Sequence, residues 1–208
     1  GGQNLDTLYR THLLDPISVQ ASLLPVVESP KGIAHPYADR SNYGGSGGFG
    51  DLSQIEIWKD FNWYEADGRL SWATAGIVST SENMARWAYE LYSERGSAVT
   101  KSVRSALLES VTDETIFIDG PQKYGFHVAR KEHALPDGTV LESYGHSGGG
   151  SGTSSVLVYL PELDLSISVL ANSDMNNLLG NCASRTEPWL SPMHCITRGL
   201  LEAMVSVK

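Results

Sequence analysis

The chain has 208 residues and a mass of 22.5 kDa, with 41% hydrophobic and 19% charged residues, which is enough apolar material for one real core and too much for disorder or a fibre. Fifteen Lys and Arg stand against 24 Asp and Glu, a net charge of −9 with no basic cluster, so phosphate contacts can supply little affinity and nucleic acid is excluded as an expected partner. The longest nearly apolar run, Val156–Leu160, is far short of the roughly 18 residues a membrane helix needs, and the Gly-Gly-Gln-Asn start has no charged-then-apolar leader pattern.

In chain order, Leu5, Leu8, Tyr9 and His12 fall at helical spacing and predict a short helix over Leu5–Leu14, ended by Pro16. Residues 30–70 show no sustained period. They hold Gly-Gly-Ser-Gly-Gly-Phe-Gly at 44–50 and then Trp58, Phe61, Trp63 and Tyr64, a Gly- and aromatic-rich loop region whose rings either line a groove or pin the loop to its own domain. Ser79-Thr-Ser-Glu82 has the spacing of a capping box, and Met84, Trp87, Ala88 and Leu91 continue it as an amphipathic helix. Val99, Val103, Ala106 and Leu107 predict a second helix from about 98 to 109.

Strand patterns follow. Tyr124–Arg130 and Thr139–Tyr144 flank the turn sequence Leu-Pro-Asp-Gly at 135–138 and predict a hairpin. Ser155–Leu160 and Leu165–Ala171 flank Pro161–Asp164 and predict another. Ile196, Leu200, Ala203 and Met204 share one face of a closing helix expected to pack on that sheet. Helices, consecutive antiparallel strands and a final helix argue an α+β fold, an antiparallel sheet flanked by helices, rather than alternating βαβ units.

Cys182 and Cys195 are the only cysteines and lie in a Ser-, Pro- and Asn-rich stretch. A disulfide between them would stabilise the fold by about 3 kcal/mol and would place the protein in an oxidising compartment, secreted or periplasmic; two unpaired thiols are the other reading. His194 adjoins Cys195, but no further Cys or His pair completes a zinc tetrahedron, and no metal or cofactor is expected.

Gly145-His146-Ser147-Gly148-Gly149 matches G-x-S-x-G, the nucleophile elbow of α/β-hydrolases, and chain order would even supply Asp174 as acid and His194 as base. The elbow needs a helix after Ser147, whereas Gly-rich sequence and a strand follow. Neither phosphate-loop pattern is present. His35, His127, His133 and His194 read as structural or solvated, Trp72 as local core, and His146 could itself be a plain hydrogen-bonded histidine at a strand end.

A different family fits the C-terminal half. Ala75–Thr80 leading into a helix, Tyr124-Gly125-Phe126, Gly145–Gly149, Gly152, and Pro161-Glu162 closing a hairpin that ends in Ala171-Asn172 together resemble the serine β-lactamase-like hydrolases: class C β-lactamases, DD-peptidases, D-aminopeptidases and related esterases. The resemblance implies attack by a serine of an S-x-x-K motif on an amide, lactam or ester carbonyl, a Tyr-x-Asn tyrosine, and a third motif occupied here by His146-Ser147-Gly148. It further implies that the Gly149 N–H is one of two oxyanion donors, that Ser147 and Gly148 lie against substrate, and that His146 serves a substrate carboxylate or orients the tyrosine.

No serine in the chain is followed three residues later by Lys, and no tyrosine two residues later by Asn or Ser. Residues 1–208 are therefore expected to be the C-terminal portion of one such domain, inactive alone, acting on small peptide, lactam or ester substrates only with an upstream segment. The exposed sheet edge and face would then be covered by that segment or by self-association. A non-catalytic binding module that keeps the cleft is the alternative.

Overall fold

A computed structural model describes residues 2–20, 22–23, 33–56, 74–117, 120–150, 152–174 and 191–206. Its centre is a six-stranded, wholly antiparallel sheet of order β10-β9-β8-β7-β6-β5, in which each strand pairs with its neighbour in sequence. The strands are β5 (Thr115–Phe117), β6 (Pro121–Tyr124), β7 (Ala129–Ala134), β8 (Val140–Gly150), β9 (Thr153–Leu160) and β10 (Leu165–Ala171). Before them come α1 (Leu5–Tyr9), β1 (Ser22–Leu23), β2 (Tyr37–Asp39), β3 (Phe49–Asp51), β4 (Ile77–Val78), α2 (Ser81–Tyr92) and α3 (Lys101–Glu109); α4 (Pro192–Val205) follows. β1 pairs with β4 and β2 with β3, both antiparallel. The fold is α+β, with helices on both faces of the sheet.

Alternation along β9 explains the layering. Val156, Val158 and Leu160 join Leu141 and Ile167 in a buried cluster with Met193 and Leu201 of α4. Tyr159 and its neighbour Leu157 face the other way, against Ala88 and Tyr92 of α2 and Leu107 and Leu108 of α3. Period-two burial on both faces requires a strand covered twice, which is why β9 reads as nearly continuous apolar sequence.

Helix starts follow their caps. Thr80, one residue later than the expected Ser79, is the N-cap of α2, its hydroxyl accepting from the Asn83 N–H at 3.2 Å. Thr100 caps α3 in the same way, so that helix begins at Lys101 rather than 98. Arg104 of α3 is 6% exposed and donates to the carbonyls of Leu91 at 2.8 Å and Gly96 at 2.6 Å, locking α3 to the end of α2. The expected first helix is α-helical only to Tyr9; Arg10–Leu14 widen into a π turn that puts Leu14 beside Ile17, Val19 and Ala98.

Between β9 and β10, Asp164 takes a left-handed backbone at φ 46°. Its carboxylate accepts from Ser93 Oγ at 2.7 Å, Tyr159 Oη at 2.9 Å and Tyr89 Oη at 3.1 Å, with Arg95 at 3.3 Å. The Ser93 and Tyr159 hydroxyls hold the Asp164 carboxyl below its ordinary value.

Three expectations are corrected. The strand read over Tyr124–Arg130 is two strands, β6 and β7, separated by a turn at 125–128 in which His127 adopts φ 54°. Within the loop region 30–70, β2 and β3 form a small hairpin, while the aromatics at 58–64 and Trp72 lie outside the described residues. The face chosen for the last helix is the wrong one. Ile196, Leu200 and Met204 are 43%, 40% and 39% exposed, and α4 instead buries Met193, His194, Thr197 and Leu201. Burial of the polar pair is possible because each finds partners: the Thr197 hydroxyl donates to the Met193 carbonyl at 2.9 Å, and His194 meets Ser191 and Lys131.

Candidate active site

The site is built where one strand outruns its neighbour. β7 pairs with β8 from Ala134↔Val140 to Ala129↔Gly145, whereas β9 stays in register with β8 to Gly150↔Thr153. Beyond Gly145, β8 therefore runs on past the end of β7 while it stays paired to β9.

The sequence along this stretch is set by close approach. A Cβ on Gly145 would sit 1.9 Å from the Leu157 carbonyl oxygen, so only glycine lets β8 and β9 meet where the overhang begins. At the far end Gly152 turns the chain at φ +77°, with Pro36 so close that a Cβ would lie 2.7 Å from that of Pro36. The Tyr37 N–H donates to the carbonyls of Gly152 and Asn172, both at 3.1 Å, strapping β2 across the end of the sheet.

His146 is exposed and pinned from both ring nitrogens. Nδ1 contacts the backbone carbonyl of its neighbour Ser147, and the Tyr124 hydroxyl lies 2.6 Å from Nε2. A carbonyl only accepts, so Nδ1 carries the proton; in the neutral ring Nε2 then accepts from the Tyr124 O–H. The two rings also meet edge to face, with centroids 5.6 Å apart. Burial raises the Tyr124 phenol above its ordinary value, which keeps it a donor. Sequence reading singled out His146 and quoted Tyr124 within a motif, but the contact between them carries no local signal.

Gly149 is exposed in register with Ser154, and Gly148 lies opposite Ser155. Ser147 is an interior residue of β8 opposite Val156, with strand on both sides of it. This corrects the elbow reading, which needs a strand-to-helix turn at Ser147. His194 and Ser147 do border one cavity beneath β7 to β9, together with Lys131, His133 and Ser143. The His194 ring is engaged elsewhere, Nδ1 at 2.8 Å from Ser191 Oγ and Nε2 at 3.0 Å from Lys131 Nζ. Asp174 follows β10, its N–H donating to the Tyr37 carbonyl at 2.8 Å. Among the described residues, no group of three His, Cys, Asp or Glu side chains could hold a metal ion, and no helix is long and apolar enough to cross a membrane.

Two further histidines have defined settings. His35 Nδ1 lies 2.7 Å from Asp51 Oδ2, a carboxylate also bonded by Ser53. His133 Nε2 lies 2.7 Å from Ser143 Oγ; burial, helped by Lys131 and Arg198, pushes its imidazole down to about 4. Cys195 lies on α4, whereas Cys182 and with it the expected pairing fall outside the described residues.

Comparison with known proteins gives a family and a fold. The sequence matches the Beta-lactamase family model over residues 1–180. No curated protein matches it. Among solved structures, a D-stereospecific amidohydrolase from Streptomyces sp. superposes with a TM-score of 0.59 at 20% identity, covering 83% of this chain and 45% of that one. The chain thus spans less than half the length of that structure.

Proposed function

The chain belongs to the beta-lactamase family, and from that premise we propose that it carries the cleft strand of a serine acyl hydrolase acting on amide, lactam or ester carbonyls. The observation that carries the reading is the extension of β8 past the end of β7, which starts at Gly145, holds the Tyr124-pinned His146, and continues to the exposed Gly149. A substrate bound beside His146 would direct its carbonyl to the Gly149 N–H, while His146 orients the substrate or the tyrosine that serves the nucleophile. Ser147 and Gly148 keep the strand low enough for that approach.

The attacking serine is not in the sequence, which has neither S-x-x-K nor Tyr-x-Asn. On this reading residues 1–208 supply part of one catalytic domain, and catalysis requires a segment bearing both motifs. The Cys182–Cys195 disulfide and a secreted or periplasmic location belong to the same proposal. A binding module that retains the cleft is the second reading, favoured by the same missing motifs.

The test is covalent and then kinetic. The isolated chain should take no label from a fluorophosphonate or penicillin probe, because acylation needs an activated serine. Joined to the upstream part of its coding region, it should hydrolyse a chromogenic ester or a D-amino-acid amide, and His146→Ala should then lower kcat/KM by roughly 100-fold. Stoichiometric labelling of Ser147, or strong hydrolysis by the 208-residue chain alone, would overturn the proposal. An upstream region without S-x-x-K would leave the binding module.

A further inference from the structure

The glycine-rich run at 44–50 takes no part in the candidate active site, and it encloses an arginine. β2 and β3 pair from Tyr37↔Asp51 to Asp39↔Phe49, and a single 3-10 turn, Arg40–Tyr43, leads from β2 into the glycines. Both ends of the loop close on the backbone of Arg40. Its N–H donates to the Gly48 carbonyl at 3.0 Å, and its carbonyl accepts from the Gly45 N–H at 2.9 Å. The Arg40 side chain lies against Gly50, where a Cβ would sit 2.9 Å from Arg40 Cδ and 3.8 Å from Nη1, so glycine at 50 leaves the room this side chain occupies.

This arginine has no acceptor. Among the described residues none accepts from its guanidinium, and Nε is buried without a hydrogen-bond partner. The carboxylates on either side of the hairpin are engaged elsewhere. Asp39 accepts from the Ser41 N–H at 3.0 Å and the Ser41 hydroxyl at 2.7 Å. Asp51 accepts from the Ser53 hydroxyl at 2.7 Å and lies 2.7 Å from His35 Nδ1. With 24 acidic residues against 15 Lys and Arg, a shortage of carboxylates does not explain an unpaired guanidinium.

A charged N–H withdrawn from water without an acceptor costs free energy that an oxyanion would return, and the planar guanidinium fork matches the oxygens of a carboxylate or a phosphate. The loop adds donors, since the N–H groups of Ser46, Gly47 and Gly48 have no acceptor among the described residues. Gly47 and Gly48 stand at φ 79° and 52°, and turns of this kind present successive backbone N–H groups to anions. We propose that Arg40 and the 44–50 loop form a binding site for a small oxyanion, the carboxylate or phosphate group of a ligand. The site is independent of the cleft reading above.

The 208-residue chain is titrated with acetate and with methyl phosphate, at ionic strength held constant with chloride, while the Gly47 and Gly48 amides and the Arg40 Nε–H are followed by NMR. At least one probe should saturate with a dissociation constant of about 1–10 mM. Arg40→Met keeps the apolar stem and should weaken that binding about tenfold. Arg40→Lys keeps the charge without the fork, should weaken it about threefold, and serves as the comparison if Arg40→Met does not fold. Unchanged amide resonances of Tyr37 and Gly152, which join β2 to the sheet, identify a folded variant. The binding probe should also raise the melting temperature of the parent and leave that of Arg40→Met unmoved. Tighter methyl phosphate identifies a phosphate-bearing ligand and tighter acetate a carboxylate-bearing one; either supports the site. Shifts that fail to saturate with both probes, or affinity unchanged by the Arg40 substitutions, mean that no such site exists.

Discussion

The hydroxyl of Tyr124 stands 2.6 Å from Nε2 of His146, two side chains 22 residues apart that meet because β7 ends just where β8 continues through His146. With Nδ1 turned to the Ser147 carbonyl, the pair fixes one tautomer and one ring orientation. Tyr124→Phe keeps the ring and removes the bond. It should let the Nε2-protonated tautomer appear in the ¹⁵N spectrum of His146 and, in a chain completed with the proposed S-x-x-K segment, lower kcat/KM by about tenfold, less than His146→Ala. An unchanged tautomer would show that the carbonyl contact alone orients the ring.

Gly145 should tolerate no side chain. In Gly145→Ala the new methyl meets the Leu157 carbonyl, a backbone group that cannot rotate away, and the variant should lose about 3 kcal/mol with little change in the urea m-value. Gly199→Ala is the opposite case: the position is in α4 with open space around it, and helix propensity predicts a gain of about 0.5–1 kcal/mol. Equal effects at the two sites would contradict the packing described.

His133 makes stability depend on pH. Its imidazole falls from an ordinary 6.5 to about 4 in the folded protein, so between those values the unfolded chain binds the extra proton. The contribution is complete above about pH 6.5 and is lost as pH falls toward 4, by roughly 1–3 kcal/mol. Urea midpoints should drop across that window in the parent and drop less in His133→Gln. Parallel profiles would assign the acid sensitivity to other groups.

Thiol content decides the cysteine proposal. Under denaturing, non-reducing conditions the purified chain should titrate no free thiol, and two should appear after reduction, with a lower melting temperature. Two free thiols before reduction would remove both the bridge and the argument for an oxidising compartment.

Features whose causes are local were legible in the sequence. The helix after the 79–82 box was legible although its cap falls one residue later, on Thr80, and the alternation along β10 put the buried Ile167 on the inward face without naming what covers it. The same logic failed for α4, where apolarity pointed to Ile196 and Leu200. Burial of His194 depends on Lys131, 63 residues away, and no helical period can encode a partner on another strand. The break after Tyr124 was hidden because His127, not glycine, takes the left-handed conformation. Of the candidate site residues, His146 and Gly149 were named from the resemblance, whereas the Tyr124–His146 contact exists only once β6, β7 and β8 are side by side.

The carboxylate of Asp164 joins the last turn of α2 to the corner between β9 and β10, since Ser93, Tyr89 and Tyr159 all donate to it. Neither piece can detach while those bonds hold. Slow amide exchange should therefore release the 161–165 corner and the 89–93 turn with a common opening free energy, as one cooperative unit, although about 70 residues separate them. Asp164→Ala should split that unit, freeing the corner to exchange early while the middle of α2, held by Ala88 in the core, keeps its protection.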